Sequence, residues 1–104
     1  MKTMSIVLPA YNEEQMIEKT AGTIARLMEN EDISYELVFV NDGSKDQTWE
    51  RIKEASKKNS NIKGICFSRN FGKEGAVFAG LANASGDCVA VMDCDLQHPP
   101  ETLI

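Results

Sequence analysis

The feature that most constrains this chain is the regular alternation of short apolar runs with stretches of helical periodicity. Each apolar run is five or six residues long, and the runs are Ser5–Ala10, Tyr35–Val40, Ile62–Phe67 and Cys88–Met92. Strands that alternate with helices pair in parallel, and the helices cover both faces of the sheet. The sequence therefore predicts an α/β fold with a Rossmann-like, mainly parallel sheet flanked by helices.

Three helices are predicted between these strands. The first has Asn12 as its N-cap and Gln15 as the partner in a capping box, and Asp46 is expected to cap the second. The third covers Glu74–Ala84. The positions expected to face the core are Ile17, Ala21, Ile24 and Met28 in the first helix and Trp49, Ile52 and Ala55 in the second. The pair Pro99 and Pro100 is typical of the first turn of a further helix.

Composition narrows the function classes. The chain has 104 residues, 42% of them hydrophobic, which suits one domain with a packed core. No apolar run approaches the roughly 18 residues of a membrane span. The net charge of −5 argues against binding to nucleic-acid backbones. Three cysteines fit neither a zinc nor a disulfide pattern, so reduced thiols and a cytoplasmic location are expected.

Polar residues follow every predicted strand. In open parallel sheets, ligands bind beyond the carboxyl ends of the strands, and these ends share one edge. The polar clusters are Tyr11–Glu13, Asn41–Asp42, Ser68–Asn70, and the pair Asp93 and Asp95. The sequence therefore predicts a binding site at this edge.

Asp93 and Asp95 stand one residue apart at the end of the last apolar run. In extended backbone, such residues point to the same side, roughly 6.5–7 Å apart, and Cys94 would point back toward the protein. Carboxylate and amide oxygens suit Mg²⁺ or Mn²⁺, and Gln97 offers a third oxygen. A site with two acids fits a metal that also binds ligand phosphates. A solvated turn that caps a helix is the alternative.

Five motifs in this order closely resemble the N-terminal half of family 2 glycosyltransferases, which have the GT-A fold. The nearest likeness is to the dolichol-phosphate mannosyltransferase and polyprenyl-phosphate glucosyltransferase group. The motifs are PAYNEE, VNDGSKDQT, SRNFGKEGA, ASGD and MDCDLQHPPE. The resemblance implies transfer of a sugar from a UDP- or GDP-linked donor, with Mg²⁺ or Mn²⁺ holding the diphosphate.

The resemblance also assigns residues to the nucleotide. Pro9, Tyr11 and Glu13 match positions that hold the nucleoside, with the Tyr11 ring near the base and Glu13 near the ribose. Asp42 matches the acid that reads the base edge, and Val40 is the backbone position beside it. Tyr11 could instead be a buried aromatic of the first helix, and Asp42 could be an Asx-turn residue.

The same resemblance places Asp93, Asp95 and Gln97 at the metal, with Asp95 in direct contact and Asp93 closer to the ribose or to metal-bound water. They would stabilise the departing nucleoside diphosphate through the cation, and no catalytic base is expected in this chain. Arg69 and Lys73 either face the nucleotide or are solvated surface charges.

Two residues depart from the family pattern. Asn41 stands where many relatives carry aspartate, and Cys94 replaces the common alanine. His98 is expected to be structural.

The resemblance covers essentially the whole chain but only the donor-binding half of the fold. We expect residues 1–104 to be one truncated domain without transferase turnover. The parent enzyme would act at the cytoplasmic face of a membrane on a polyprenyl-phosphate acceptor. Exposed apolar surfaces of the fragment are expected to favour self-association.

Four alternatives remain at this point. A haloacid-dehalogenase-type phosphatase also places D-x-D after an apolar strand, but there the motif opens the fold. A response-regulator receiver would have its acid pair after the first strand. A dinucleotide dehydrogenase would carry G-x-G-x-x-G there. A non-catalytic nucleotide-binding or regulatory module is the fourth, and metal-dependent binding without turnover would favour it.

Overall fold

The centre of the molecule is a four-stranded sheet in which all strands run parallel. The computed structural model describes residues 3–92 and residue 94. Its elements are β1 (Thr3–Ala10), α1 (Ile17–Asn30), β2 (Ser34–Asn41), α2 (Thr48–Lys58), β3 (Ile62–Cys66), α3 (Lys73–Asn83) and β4 (Cys88–Val91). The strand order is β3-β2-β1-β4, and each neighbouring pair is parallel. The predicted Rossmann-like sheet with flanking helices is confirmed.

The two faces of the sheet are covered by different helices. Side chains alternate between faces along a strand, so neighbouring residues of β1 enter different cores. Ile6 and Leu8 join the cluster formed with α1 and α2, whereas Val7 packs with Val38, Val40 and Ala76 of α3. The sheet is therefore buried on both sides, which explains why its central strands carry apolar residues at consecutive positions, at 6–8 in β1 and 37–40 in β2.

The predicted core positions of the helices are confirmed. All four positions of α1 are buried, namely Ile17, Ala21, Ile24 and Met28. In α2, Ile52 is buried, and Trp49 and Ala55 pack against the same cluster while partly exposed. Helical spacing alone located these faces.

The predicted start of α1 is wrong. The helix begins at Ile17, with Met16 rather than Asn12 in the N-cap position. Asn12 has a φ of 53°, outside the helical region, and its side-chain oxygen accepts a hydrogen bond from the Lys45 N–H. Because Asn12 bonds to a distant loop, it cannot cap the helix, and residues 12–15 form a connecting loop instead of a first turn.

The predicted cap of α2 is displaced by one residue. Gln47 occupies the N-cap position and makes no side-chain capping bond. The Asp46 carboxylate takes over this task, because its Oδ1 accepts the N–H of Thr48, the first helical residue, at 3.0 Å. Asp46 thus accepts a hydrogen bond from a backbone N–H that has no partner within the helix, although Asp46 lies one residue before the N-cap.

A buried polar cluster lies at the amino end of the sheet. Glu36 of β2 accepts hydrogen bonds from the Ser5 hydroxyl and from both the N–H and the hydroxyl of Ser85, and it pairs with Lys63 at 2.7 Å. The N–H of Gly86 donates to the Ser5 hydroxyl at 2.8 Å. One carboxylate thereby joins β1, β2 and β3 to the turn that leads into β4.

Apolar side chains lie exposed on α3 and on the adjacent strand β4. Phe78 is 77% exposed, and Leu81, Val89 and Val91 are each 45% exposed. The pairing of β4 with β1 places Val89 and Val91 beside Ser5 and Val7, on the side of the sheet covered by α3. The expected exposed apolar surface is present, and self-association through it stays a prediction.

Across residues 3–92, the structure contains no helix with the length and hydropathy needed to cross a bilayer.

The Glu36 cluster makes stability depend on pH. Burial opposes ionisation of Glu36, but hydrogen bonds from Lys63, Ser5 and Ser85 outweigh it and lower the pKa from 4.5 to about 2. A carboxyl with this lowered pKa stabilises the fold above pH 4.5, on the order of 3 kcal/mol, and loses that contribution as the pH falls toward 2. Urea unfolding from pH 7 to pH 2 should show that the free energies of unfolding of the wild type and of Glu36→Gln converge at low pH. A difference that stays constant over this range would contradict the assignment.

Candidate functional site

The loops that follow β1, β2 and β3 meet at one edge of the sheet. The N–H of Asp42 donates to the carbonyl of Ala10, and the N–H of Phe67 donates to the carbonyl of Asn41, both at 2.9 Å. The N–H of Met92 likewise donates to the carbonyl of Val7, which continues the pairing of β4 with β1. The predicted gathering of polar loops at the carboxyl edge is therefore confirmed as far as Met92.

The first of these loops is held in shape by the second. The N–H of Asn12 donates to the Ser44 hydroxyl at 2.9 Å, and the N–H of Glu13 donates to the Thr48 hydroxyl at 2.8 Å. The N–H of Glu14 donates to the Asp46 carboxylate at 3.3 Å. Three consecutive backbone donors of the NEE motif are thus satisfied by side chains of the SKDQT stretch.

Tyr11 lies in this first loop and is 42% exposed. It precedes α1 by several residues, so the alternative of a buried aromatic in the first helix is wrong. An exposed ring at the carboxyl edge is placed where a planar ligand can stack on it.

Asp42 is buried, with 4% of its surface exposed, and it ties β2 to the loop after β3. Its Oδ1 accepts the N–H of Phe71 at 2.7 Å, and its backbone carbonyl accepts from the Asn70 side chain at 3.2 Å. The Asx-turn alternative belongs instead to Asn41, whose Oδ1 accepts the N–H of Ser44 at 3.2 Å. Among the residues that the structure describes, Oδ2 of Asp42 makes no hydrogen bond, which leaves it for a ligand donor.

The departure at position 41 has a structural explanation. The Asn41 side-chain amide donates to the Cys66 sulfur at 3.4 Å while its oxygen holds the turn at Ser44. An aspartate could make only the second of these bonds. Asn41 is therefore a buried linker of β2, β3 and the following turn.

Arg69 and Phe71 form a stacked pair beside Asp42. The Arg69 guanidinium carbon lies 4.8 Å from the centroid of the Phe71 ring, and Phe67 meets that ring edge-on at 5.3 Å. Both Arg69 and Phe71 are exposed. The contact holds the guanidinium against the Phe71 ring, and its use by a nucleotide stays a prediction.

The remaining predicted nucleotide residues lie at the same edge. Lys73 is the exposed first residue of α3. Pro9 pairs with Val40 in the register of β1 and β2. The Val40 side chain is wholly buried in the cluster under α3, and contact of its backbone with a nucleotide stays a prediction.

The predicted metal ligands Asp93, Asp95 and Gln97 lie outside the described residues, as do His98 and the Pro99–Pro100 pair. Cys94 is described and is 2% exposed within the core against α1, so its predicted inward orientation is confirmed. In residues 3–92 and 94, no group of three or more His, Cys, Asp or Glu side chains is arranged to hold a metal.

Sequence reasoning missed three residues that shape this edge. The Thr20 hydroxyl donates to the carbonyl of Cys94 at 2.6 Å, and Thr48 and Phe71 make the contacts described above. Thr20 lies on the same face of α1 as the apolar core positions, and this polar residue at a core-facing position could have been recognised from the sequence. Nothing in the local pattern marked Thr48, because its partner lies 35 residues away.

An α/β fold with polar loops gathered at the carboxyl edge is typical of nucleotide-binding enzymes, and sequence comparison identifies the family. Residues 5–104 match the profile of Glycosyl transferase family 2, and the chain belongs to that family. A bactoprenol glucosyl transferase of Shigella phage SfV is 43% identical over 100 residues, which are 96% of this chain and 33% of that protein. The phosphatase, receiver and dehydrogenase alternatives do not fit this family.

Solved structures agree with the family. A mannosyltransferase from Pyrobaculum calidifontis in complex with GDP-Man and Mn²⁺ superposes with a TM-score of 0.81 at 26% identity, over 98% of this chain and 30% of that one. Glucosyl-3-phosphoglycerate synthase from Mycobacterium tuberculosis with UDP gives a TM-score of 0.74 at 30% identity, over 98% and 37%. This chain thus shares the GT-A fold, and it spans about a third of the length of its curated relatives.

The role of Asp42 as a loop anchor can be tested by hydrogen exchange. Asp42→Ala removes the acceptor for the Phe71 N–H, so exchange of that amide should accelerate about tenfold or more, as expected for loss of a hydrogen bond to a charged group. Asp42→Asn keeps an oxygen at the same place and should leave the exchange close to that of wild type. Equal acceleration in both variants would show that the charge, rather than the acceptor, holds the loop.

Proposed function

We propose that this chain is the donor-binding part of a glycosyltransferase that takes a sugar from a nucleoside-diphosphate sugar. The observation that carries the proposal is the convergence of Tyr11, Glu13 and Asp42 in two loops that hydrogen-bond to each other at the carboxyl edge. This is the edge at which parallel α/β sheets bind their ligands. The family membership supports the same reading.

Each described residue has a chemically suitable task toward a nucleoside. The exposed Tyr11 ring offers a stacking surface for the base, and Glu13 offers a carboxylate to a ribose hydroxyl. Asp42, with Oδ1 bound to the Phe71 N–H, presents its second oxygen to a base donor. Pro9 and the backbone of Val40 line the strand ends beside them.

The diphosphate would lie toward the end of β4. There, Asp93, Asp95 and Gln97 would hold Mg²⁺ or Mn²⁺, an oxygen donor set that suits either ion. The bound cation would neutralise charge on the departing nucleoside diphosphate. Arg69 and Lys73 add positive charge at the same edge of an acidic chain. Support for a metal comes from the structural neighbour with GDP-Man and Mn²⁺.

The acceptor we propose for the parent enzyme is a polyprenyl phosphate at the cytoplasmic face of a membrane. Support comes from the bactoprenol glucosyl transferase, which is 43% identical to this chain. A phosphate acceptor is already an anion, so it needs no general base to remove a proton. We expect no turnover by the 104 residues alone.

A calorimetric titration tests this proposal. UDP, GDP and their sugar conjugates would be added to the chain with Mn²⁺ and with EDTA. We expect one nucleotide family to bind only with the metal, and Asp95→Asn to abolish that binding. Asp42→Asn, which keeps the acceptor for the Phe71 N–H, should weaken binding about tenfold while the protein stays folded.

Two results would contradict the proposal. Absence of binding by the folded wild type would show that these loops do not form a donor pocket. Binding that is the same with EDTA and in Asp95→Asn would separate the nucleotide from the predicted metal site.

A further inference from the structure

Thr48 is a buried hydroxyl at the candidate site that no nucleotide role explains. It is the first residue of α2, and its relative exposure is 0%. Its hydroxyl donates to Oδ1 of Asp46 at 2.5 Å and accepts the N–H of Glu13 at 2.8 Å. A buried side chain thereby connects a helix start to the backbone of the residue proposed to read the ribose.

The direction of this hydrogen-bond chain is fixed by charge. Burial would raise the pKa of Asp46, but hydrogen bonds from the Thr48 hydroxyl and N–H and from the Glu14 N–H lower it below its usual value. An ionised carboxylate can only accept, so the Thr48 proton must point at Asp46. The hydroxyl oxygen then faces the Glu13 N–H with a lone pair, and the two bonds reinforce each other.

Glu13 is held on both sides of its Cα atom. Its N–H is bound by Thr48, and its carbonyl accepts the N–H of Met16 at 2.9 Å. The next N–H, of Glu14, is bound by the second oxygen of Asp46. With both flanking peptide groups fixed, the direction of the Glu13 Cα–Cβ bond is set by the start of α2 as well as by α1.

We propose that Thr48 is a positioning residue for ribose recognition, because its hydroxyl, oriented by Asp46, fixes the backbone from which Glu13 reaches the sugar of the nucleotide. This inference rests on the proposed function and goes one step further. It assigns specificity for the ribose to a residue of α2, outside the loop that carries Glu13, that does not itself touch the ligand.

A merely structural role would have different consequences. If Thr48 only stabilised the fold, its loss would weaken the binding of ribonucleotides and of deoxyribonucleotides equally. If it positions Glu13, its loss should remove the discrimination between them. The readout is therefore the ribose preference, defined as the Kd of the 2′- or 3′-deoxynucleoside diphosphate divided by the Kd of the ribonucleoside diphosphate.

The experiment measures this preference by calorimetry with Mn²⁺, using the base that wild type binds. Thr48→Val removes the hydroxyl at nearly constant shape, Thr48→Ser keeps it, and Thr23→Val makes the same exchange at a partly exposed position of α1. Glu13→Ala should lower the preference about tenfold, as for one hydrogen bond to a charged group. Thr48→Val should lower it at least about threefold, and the two controls should retain it.

The double variant separates direct from transmitted effects. Thr48→Val should change nothing further in a Glu13→Ala background, because the two residues would act through one contact. Asp46→Ala is a second way to release the Thr48 hydroxyl and should shift the preference in the same direction, should Thr48→Val fail to fold.

The outcomes distinguish the two proposals. A wild type that binds nucleotide, together with folded Thr48→Val or Asp46→Ala variants that keep full ribose preference, overturns the role of Thr48 and leaves the donor site intact. A folded wild type that binds no nucleotide overturns both.

Discussion

The candidate site depends on hydrogen bonds between two loops, those that follow β1 and β2. Backbone donors of Asn12, Glu13 and Glu14 are satisfied by the Ser44, Thr48 and Asp46 side chains. The bonds of Glu13 and Glu14 are partly buried, so loss of their acceptors would destabilise this loop. The loop after β3 joins them through the bond between Asp42 and the Phe71 N–H. Three motifs that are far apart in sequence thus form one connected surface.

The opposite end of the sheet has a different task. There, the Glu36 carboxylate gathers Ser5, Lys63 and Ser85 and fixes the turn before β4. Gly80 lets α3 approach β1 closely, since a Cβ at that position would lie 2.2 Å from a methyl of Val7. The Glu36 cluster thus fixes the start of β4, and α3 packs closely on the neighbouring strand β1. Together these contacts determine where β4 reaches the carboxyl edge.

The sequence predicted the parallel sheet, the core-facing positions and the gathering of polar loops, because these follow from local periodicity and from the rule for parallel strands. It misplaced the start of α1, because the capping signal at Asn12 and Gln15 is local, whereas the partners of Asn12 lie more than 30 residues away. Thr48 was missed for the same reason. The proposed roles of Tyr11, Glu13 and Asp42 follow from the family resemblance rather than from spacing, and the structure shows that these residues share one edge of the sheet.

The central claim is that a nucleoside diphosphate and its metal bind at the carboxyl edge. Paramagnetic broadening by Mn²⁺ in amide spectra of the ¹⁵N-labelled chain, recorded with and without nucleotide, tests it most directly. We expect nucleotide-dependent broadening of the Glu13, Gly43 and Phe71 amides, while those of Asp32 and Asp87 at the amino edge stay sharp. Broadening centred on Asp32 or Asp87, or unchanged by nucleotide, would contradict the account.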